Sequence, residues 1–248
     1  MRGLKDKVIL ITGAGSGIGA VAAKYLAEKG AKVLIIGRTE KALKEPAAQH
    51  ENIFYEAADI NQTEDIKKIL NVVKEKFGRL DALVNNAGVA PVAPLGKISM
   101  AEVDKTFATN VKAVIELSQE FLQMLKESKG TIINIGSANA SKPMPNMSVY
   151  SASKAALVAL TRAWAKELAA DGVRVNSVSV GPIWTPIYDK TSLSEEESKK
   201  HIETVKKIVP LGRFGESEEV AAVIAFLASE ESSFVTGADY AVDGGTCA

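Results

Sequence analysis

Tyr150 and Lys154 stand four residues apart in the run Val149-Tyr-Ser-Ala-Ser-Lys-Ala-Ala-Leu-Val-Ala-Leu160, whose alanines and leucines favour a helix. That spacing sets a phenol and an ammonium beside each other on one helical face. A phenol with an ordinary pKa of about 10 is a poor acid or base near neutrality, and a neighbouring cation favours its ionised form. The pair therefore has the makeup of an acid/base device, and equally that of a solvated Tyr and Lys on an amphipathic helix. A second candidate lies near the start of the chain, in Thr12-Gly-Ala-Gly-Ser-Gly-Ile-Gly19. Glycines there permit a tight turn and let phosphates approach backbone N–H groups, while the N-terminus of a following helix adds partial positive charge. A dinucleotide pyrophosphate suits such a loop, provided a strand precedes it and a helix follows.

The elements around these groups meet that condition. Short apolar, β-branched runs alternate with helical patterns: 7–12, then a helix over 18–29, a strand at 31–36, a helix at 39–48 and a strand at 53–58. The series continues with a helix at 63–77, a strand at 80–85, one long helix over 100–126 and a strand at 130–135. The Tyr150 helix follows toward Ala170, then a strand at 173–180, a helix at 217–228 and a short strand at 239–242. Such alternation predicts βαβ units around a parallel sheet. The stretch 185–215, rich in Ser, Glu and Lys, breaks the pattern and is expected to form a helical lid over the substrate site.

Composition narrows the function classes. The chain has 248 residues, 46% of them hydrophobic and 24% charged, enough for one large α/β domain. Lys plus Arg and Asp plus Glu each number 30, so no net field attracts nucleic acid or an anionic membrane. No apolar run approaches the roughly 18 residues of a membrane span, and the N-terminal run from Val8 is too short for a signal peptide. The one cysteine, Cys247, has no partner within the chain, which fits a reducing compartment; a cytoplasmic location is expected. His50 and His201 lie in no cluster with metal-ligand spacing, so no metal is expected.

The spacing Gly13-x-x-x-Gly17-x-Gly19 departs from the common G-x-G-x-x-G. With Thr12 it resembles the T-G-x-x-x-G-x-G of the short-chain dehydrogenase/reductase family. Asn85-Asn86-Ala87-Gly88, Asn110, Ser137 and the Tyr150/Lys154 pair match that family's further motifs in order, so the resemblance runs through nearly the whole chain. It implies an α/β, Rossmann-like, doubly wound parallel sheet in a single domain over 1–248. The activity implied is hydride transfer between a nicotinamide cofactor and a carbonyl or secondary alcohol.

The resemblance also implies roles. Tyr150 would exchange the proton with the substrate oxygen, and Ser137, placed just past its strand, would hydrogen-bond that oxygen. Lys154 would bind the nicotinamide ribose and depress the tyrosine pKa. Asn110 would hold a water linking Lys154 to solvent, although an amide inside a helix also serves merely to satisfy polar groups. Gly13, Ser16, Gly17, Ile18 and Gly19 would meet the pyrophosphate, Asp59 and Ile60 the adenine, and Asn86, Ala87 and Gly88 would also bind the cofactor. The backbone of Ile183 and the hydroxyl of Thr185 would meet the carboxamide, with Gly181 also at the cofactor. Asn139, Met147 and Trp184 would join Ser137 and Tyr150 around the substrate. Two departures from the family pattern are Val180, where proline is frequent, and Gly136, where serine is frequent before Ser137.

In such folds an acid ending the second strand selects NAD, and a basic group accommodates the 2′-phosphate of NADP. Here the residues are Gly37-Arg38. A guanidinium can fork onto a phosphate, so NADP is the expected cofactor. The alternative is Arg38 paired with Glu40 or Glu45 and NAD held less selectively. The expected substrate is a small neutral carbonyl compound or alcohol. A 3-oxoacyl thioester on an acyl carrier protein, a non-catalytic nucleotide sensor and a methyl transferase are the competing readings. Family members usually associate as tetramers, and the face of Ala152, Ala155, Ala156 and Ala159 would either admit partner helices or pack on the chain's own sheet.

Overall fold

In the computed structural model, residues 2–185 and 203–248 are described. The strands are β1 (Val8–Thr12), β2 (Lys32–Gly37), β3 (Ile53–Ala57), β4 (Ala82–Asn85), β5 (Thr131–Ser137), β6 (Arg174–Val180) and β7 (Asp239–Val242). All pair in parallel, in the order β3-β2-β1-β4-β5-β6-β7. Every residue of β1 is buried, which is what a run of Val, Ile and Leu requires when both sheet faces are covered. Alternate side chains then supply two cores. Ile9, Ile11, Val33 and Ile35 pack under helices α1 (Gly17–Ala27) and α2 (Glu40–Ala47) and the late helix Ser217–Ala228. Val8, Leu10, Leu34 and Ile36 pack under α3 (Thr63–Phe77) and the helices that follow β4.

The order reverses between β1 and β4, and this opens a crevice beyond their carboxyl ends, where ligands bind in doubly wound sheets. The glycine loop, Asn86–Gly88 and Ser137 all lie at that edge because each follows or ends a central strand.

The expected helix over 100–126 is broken. Helix α4 (Met100–Phe107) gives way to a π-helical turn, Ala108–Lys112, before α5 (Ala113–Glu120) and α6 (Leu122–Ser128). The wider turn closes with Ala113 N–H donating to the Ala108 carbonyl, and it carries Asn110. Such turns recur at functional sites because they re-aim one side chain without ending the helix. The fifth strand runs to Ser137 rather than stopping at Ile135, since Gly136 and Ser137 continue the register against Ser179 and Val180. Ser137 is thus the last residue of β5 rather than one beyond it. The Tyr150 helix α7 (Ser148–Glu167) ends three residues early, where a 3-10 turn leads into Gly172 at φ 76°. The late helix Ser217–Ala228 is α8.

Of the expected lid over 185–215, residues 186–202 lie outside the described residues. The chain on either side of them is joined: Ile183 bridges Gly215, Trp184 N–H donates to the Gly215 carbonyl at 2.8 Å, and the Trp184 ring meets Phe214 edge-on at 5.5 Å. Residues 203–208 are helical.

Candidate active site

The glycine loop is shaped by its contacts with the strand beside it. Thr12 ends β1, and its hydroxyl accepts the N–H groups of Asn86 and Ala87, both at 3.1 Å. In return the Asn86 amide donates to the carbonyls of Thr12 (2.8 Å) and Gly13 (3.1 Å). Gly13 and Gly17 adopt φ of 66° and 58°, where a side chain is strained. A Cβ on Gly19 would stand 2.6 Å from the Asn86 amide nitrogen and 2.8 Å from Ala14 Cα, so only glycine lets α1 start this close. The first turn of α1 contains no acid, and Ser16, its exposed N-cap, makes no side-chain cap bond. Those N–H groups and the helix dipole face the crevice uncompensated, which fits a pyrophosphate. Ile18 lies half-buried against the core.

At the adenosine end, Arg38 is exposed, and among the described residues it has no ion-pair partner. Glu40 instead meets Lys44 at 2.9 Å and accepts from the Tyr55 hydroxyl at 3.4 Å. Asp59 accepts from the backbone and side chain of Asn61, leaving its second carboxylate oxygen open, while Ile60 is buried in the core and offers the crevice little surface. At the other end, a Cβ on Gly17 would stand 3.6 Å from Thr185, so the chain after β6 closes across the crevice mouth. Gly181 packs against Asp243 and Ile183 is buried.

Four side chains converge between α7, β5 and the π turn. Lys154 is buried and donates to the Ile135 carbonyl at 2.7 Å. Burial alone brings its pKa down to about 8, because no carboxylate compensates the ammonium. A Cβ on Gly88 would stand 3.5 Å from Lys154 Nζ and 3.3 Å from Asn110 Oδ1, so Gly88 is the floor on which both rest. Tyr150 is half-buried, and burial pushes its phenol up against a smaller opposing pull from the Ser137 hydroxyl. The expected depression by Lys154 does not occur in the chain alone. The ammonium is 5.9 Å from the ring centroid, and desolvation outweighs it.

Ser137 Oγ accepts the Asn139 N–H at 3.2 Å, and its own proton is directed toward the Tyr150 phenol, where a substrate oxygen would compete for it. Asn139 in turn accepts the Met144 N–H through its side-chain oxygen at 3.1 Å, so it braces its loop as well as facing the cleft. Met147 is half-buried at the start of α7, and Trp184 and Met144 stand on the rim. The loop after β4 is tied to this wall by Ala93 N–H donating to the Asn146 carbonyl at 2.8 Å.

Asn110, wholly buried, commits both amide donors: one to the Val89 carbonyl and one to Ser153 Oγ, each at 2.9 Å, while its oxygen accepts the Val89 N–H. Ser153 passes the contact on by donating to the Tyr150 carbonyl at 2.7 Å. The side chain is therefore a clamp between the β4 loop and the tyrosine's own helical turn, with only one oxygen lone pair left for a water. Thr12 and Ser153 carry this geometry and are absent from the residues expected to form the site. A hydroxyl before the first glycine was a legible signal for Thr12. Ser153 had none, since a helix-interior serine ordinarily bonds its own backbone.

Known proteins with this sequence pattern and shape are reductases and dehydrogenases. Residues 13–247 match the family model described as Enoyl-(Acyl carrier protein) reductase. The chain is 38% identical over 247 residues to the 3-oxoacyl-[acyl-carrier-protein] reductase of Thermotoga maritima, covering 98% of each. It is 32% identical over 253 residues to levodione reductase of Leifsonia aquatica, covering 98% of this chain and 95% of that one. The crystal structure of 3-ketoacyl-(acyl-carrier-protein) reductase from Brucella melitensis complexed with NADH superposes with a TM-score of 0.92 at 32% identity, over 99% of this chain and 100% of that one.

Proposed function

Because the chain belongs to the short-chain dehydrogenase/reductase family, and so is an NAD(P)-dependent oxidoreductase, we propose that it transfers hydride between NADP(H) and a neutral ketone, aldehyde or secondary alcohol. The observation that carries this reading is the convergence of Ser137, Tyr150 and buried Lys154 at the carboxyl edge of the sheet, beside the glycine loop. When bound, the reduced nicotinamide supplies the hydride. Ser137 turns its hydroxyl proton to the carbonyl oxygen, and Tyr150 transfers its own proton to that oxygen as negative charge gathers there. Burial keeps the phenol protonated through the neutral range, the form that reduction consumes. Lys154, held by the Ile135 carbonyl, would present its ammonium to the ribose hydroxyls of a bound cofactor, and in oxidation Tyr150 takes the proton back.

NADP is supported by Arg38, which directly follows β2, exposed and without an ion-pair partner among the described residues. Arg38→Asp is expected to invert the ratio of kcat/KM for NADPH over NADH, by about 100-fold in total if one forked phosphate contact of roughly 3 kcal/mol is lost. An unchanged ratio would sink the NADP assignment. The substrate class is tested by following 340 nm absorbance with each cofactor against a panel that includes ethyl 3-oxobutanoate and a 3-oxobutanoyl thioester.

The Thermotoga and Brucella relatives, both acyl-carrier-protein reductases, favour a second reading, a 3-oxoacyl thioester presented by an acyl carrier protein. A thioester preferred strongly over the free ester would select it. No helix among the described residues is long and apolar enough to cross a membrane, and a cytoplasmic location is proposed. A homotetramer is also proposed: Ala152, Ala155 and Ala159 point away from the sheet and are exposed, with Ala156 half-buried beside them, so a partner helix can approach closely. Sedimentation at one chain mass rather than four would overturn it.

A further inference from the structure

Residues Asp243–Cys247 form a hook that the hydride-transfer chemistry above does not use. Asp243 is buried, and its two carboxylate oxygens accept separate backbone donors, Gly245 N–H and Cys247 N–H, each at 2.9 Å. The Thr246 hydroxyl closes the turn onto the Asp243 carbonyl at 2.6 Å, and Gly244 and Gly245 adopt φ of 62° and 86°. The hook touches both walls of the cleft. On one side it abuts the chain after β6, where a Cβ on Gly181 would stand 2.6 Å from Asp243 Cα. On the other, Cys247 Sγ donates to the Ala138 carbonyl at 3.4 Å, and Lys142 Nζ donates to the Thr246 carbonyl at 2.8 Å.

Ala138 and Lys142 bound the turn that sets Ser137. The Ala138 carbonyl also accepts the N–H groups of Ser141 (3.1 Å) and Lys142 (2.8 Å), and the next residue, Asn139, supplies the N–H that orients the Ser137 hydroxyl. We infer that Asp243 is a positioning residue for Ser137: by folding residues 243–247 onto the turn 138–142 it holds the Asn139 N–H in place and so aims the serine hydroxyl at the substrate oxygen. The inference rests on the reductase reading for its catalytic consequence, and on the hydrogen bonds alone for its structural one. A group that is misaimed loses transition-state stabilisation more than it loses ground-state contacts.

The test uses the full-length protein. Asp243→Asn keeps the volume but replaces one acceptor with an amide that faces an N–H. Lys142→Met cuts the tie to Thr246 from an exposed position and carries little folding risk. In both, amide hydrogen exchange over 138–142 is expected to accelerate roughly tenfold or more, the loss of about one hydrogen bond's worth of protection, while β1 and the glycine loop stay as in wild type. With ethyl 3-oxobutanoate and NADPH, kcat is expected to fall about tenfold in Asp243→Asn, with the KM for NADPH within about twofold.

Unchanged exchange over 138–142 in both variants would overturn the hook as a brace. Faster exchange with unchanged kcat would overturn its role in aiming Ser137. If wild type reduces nothing in the panel, the reductase reading falls by itself, and the exchange measurement still decides whether the hook holds the turn. A proportional fall in kcat with general destabilisation of β1 would assign Asp243 to folding instead.

Discussion

Tyr150→Phe is expected to reduce kcat/KM for ketone reduction by about 1,000-fold or more while leaving the Kd for NADPH within about twofold. The substitution removes one oxygen, the phenol that would give its proton to an oxygen held by Ser137, and little contact area. His50 is not near: it lies in the α2–β3 connection, where its Nδ1 accepts the Asn52 N–H at 3.1 Å. Stopped-flow reduction with single-turnover amounts of cofactor measures the chemical step directly, and nucleotide fluorescence measures binding. Residual turnover above a few per cent of wild type would mean that another group delivers the proton. Loss of nucleotide binding in step with turnover would mean that Tyr150 holds the cofactor more than it serves the reaction.

Lys154→Met is expected to separate catalysis from stability in opposite directions. Activity falls by about 100-fold or more, since the ammonium that would hold the ribose and offset charge near the phenolate is gone. Stability rises. The folded-state pKa of Lys154 is about 8 against an ordinary value of 10.5, so below pH 8 the folded chain carries a buried ammonium that the unfolded chain keeps in water. That penalty is on the order of 3 kcal/mol, is fully present below pH 8, and is relieved as pH rises from 8 toward 10.5, because over that window the unfolded state binds more protons than the folded one. The bond from Lys154 to the Ile135 carbonyl is lost in the variant at every pH and only offsets the comparison. Urea unfolding of both proteins at pH 7 and pH 9.5 reads the effect. The gap between variant and wild type should move by roughly 2 kcal/mol in favour of wild type at the higher pH. A gap independent of pH would show that Lys154 is not desolvated in the folded protein.

Both predictions concern a site whose parts were readable in one dimension and whose workings were not. The strands and helices around it follow from local pattern, because a run such as Val8–Thr12 has few ways to bury every side chain other than the middle of a sheet covered on both faces. The expected helix over 63–77 and those of 217–228 agree with α3 and α8 at both ends, where Gly78 at φ 67° and the Glu216/Glu219 capping box supply local stop and start signals. The single long helix over 100–126 was misread for the opposite reason. Nothing in its composition marks the π turn at Ala108–Lys112, which exists because Asn110 reaches Val89 and Ser153, residues 21 and 43 positions away.

The electrostatics divide in the same way. The four-residue spacing of Tyr150 and Lys154 placed a cation near a phenol, as helical geometry requires, but it could not say how much water either group would keep. Burial of both turned the expected depression of the tyrosine into a rise and brought the lysine down to about 8. The sequence by itself determined the family, the parallel α/β architecture and the candidates for the reacting side chains, because these rest on residue types at short, regular spacings. Only the tertiary structure decided how those side chains are charged and aimed. Desolvation, the Asn110 clamp, the Thr12–Asn86 exchange and the Asp243 hook all join residues far apart in the chain, and their energies depend on distances that no local pattern encodes.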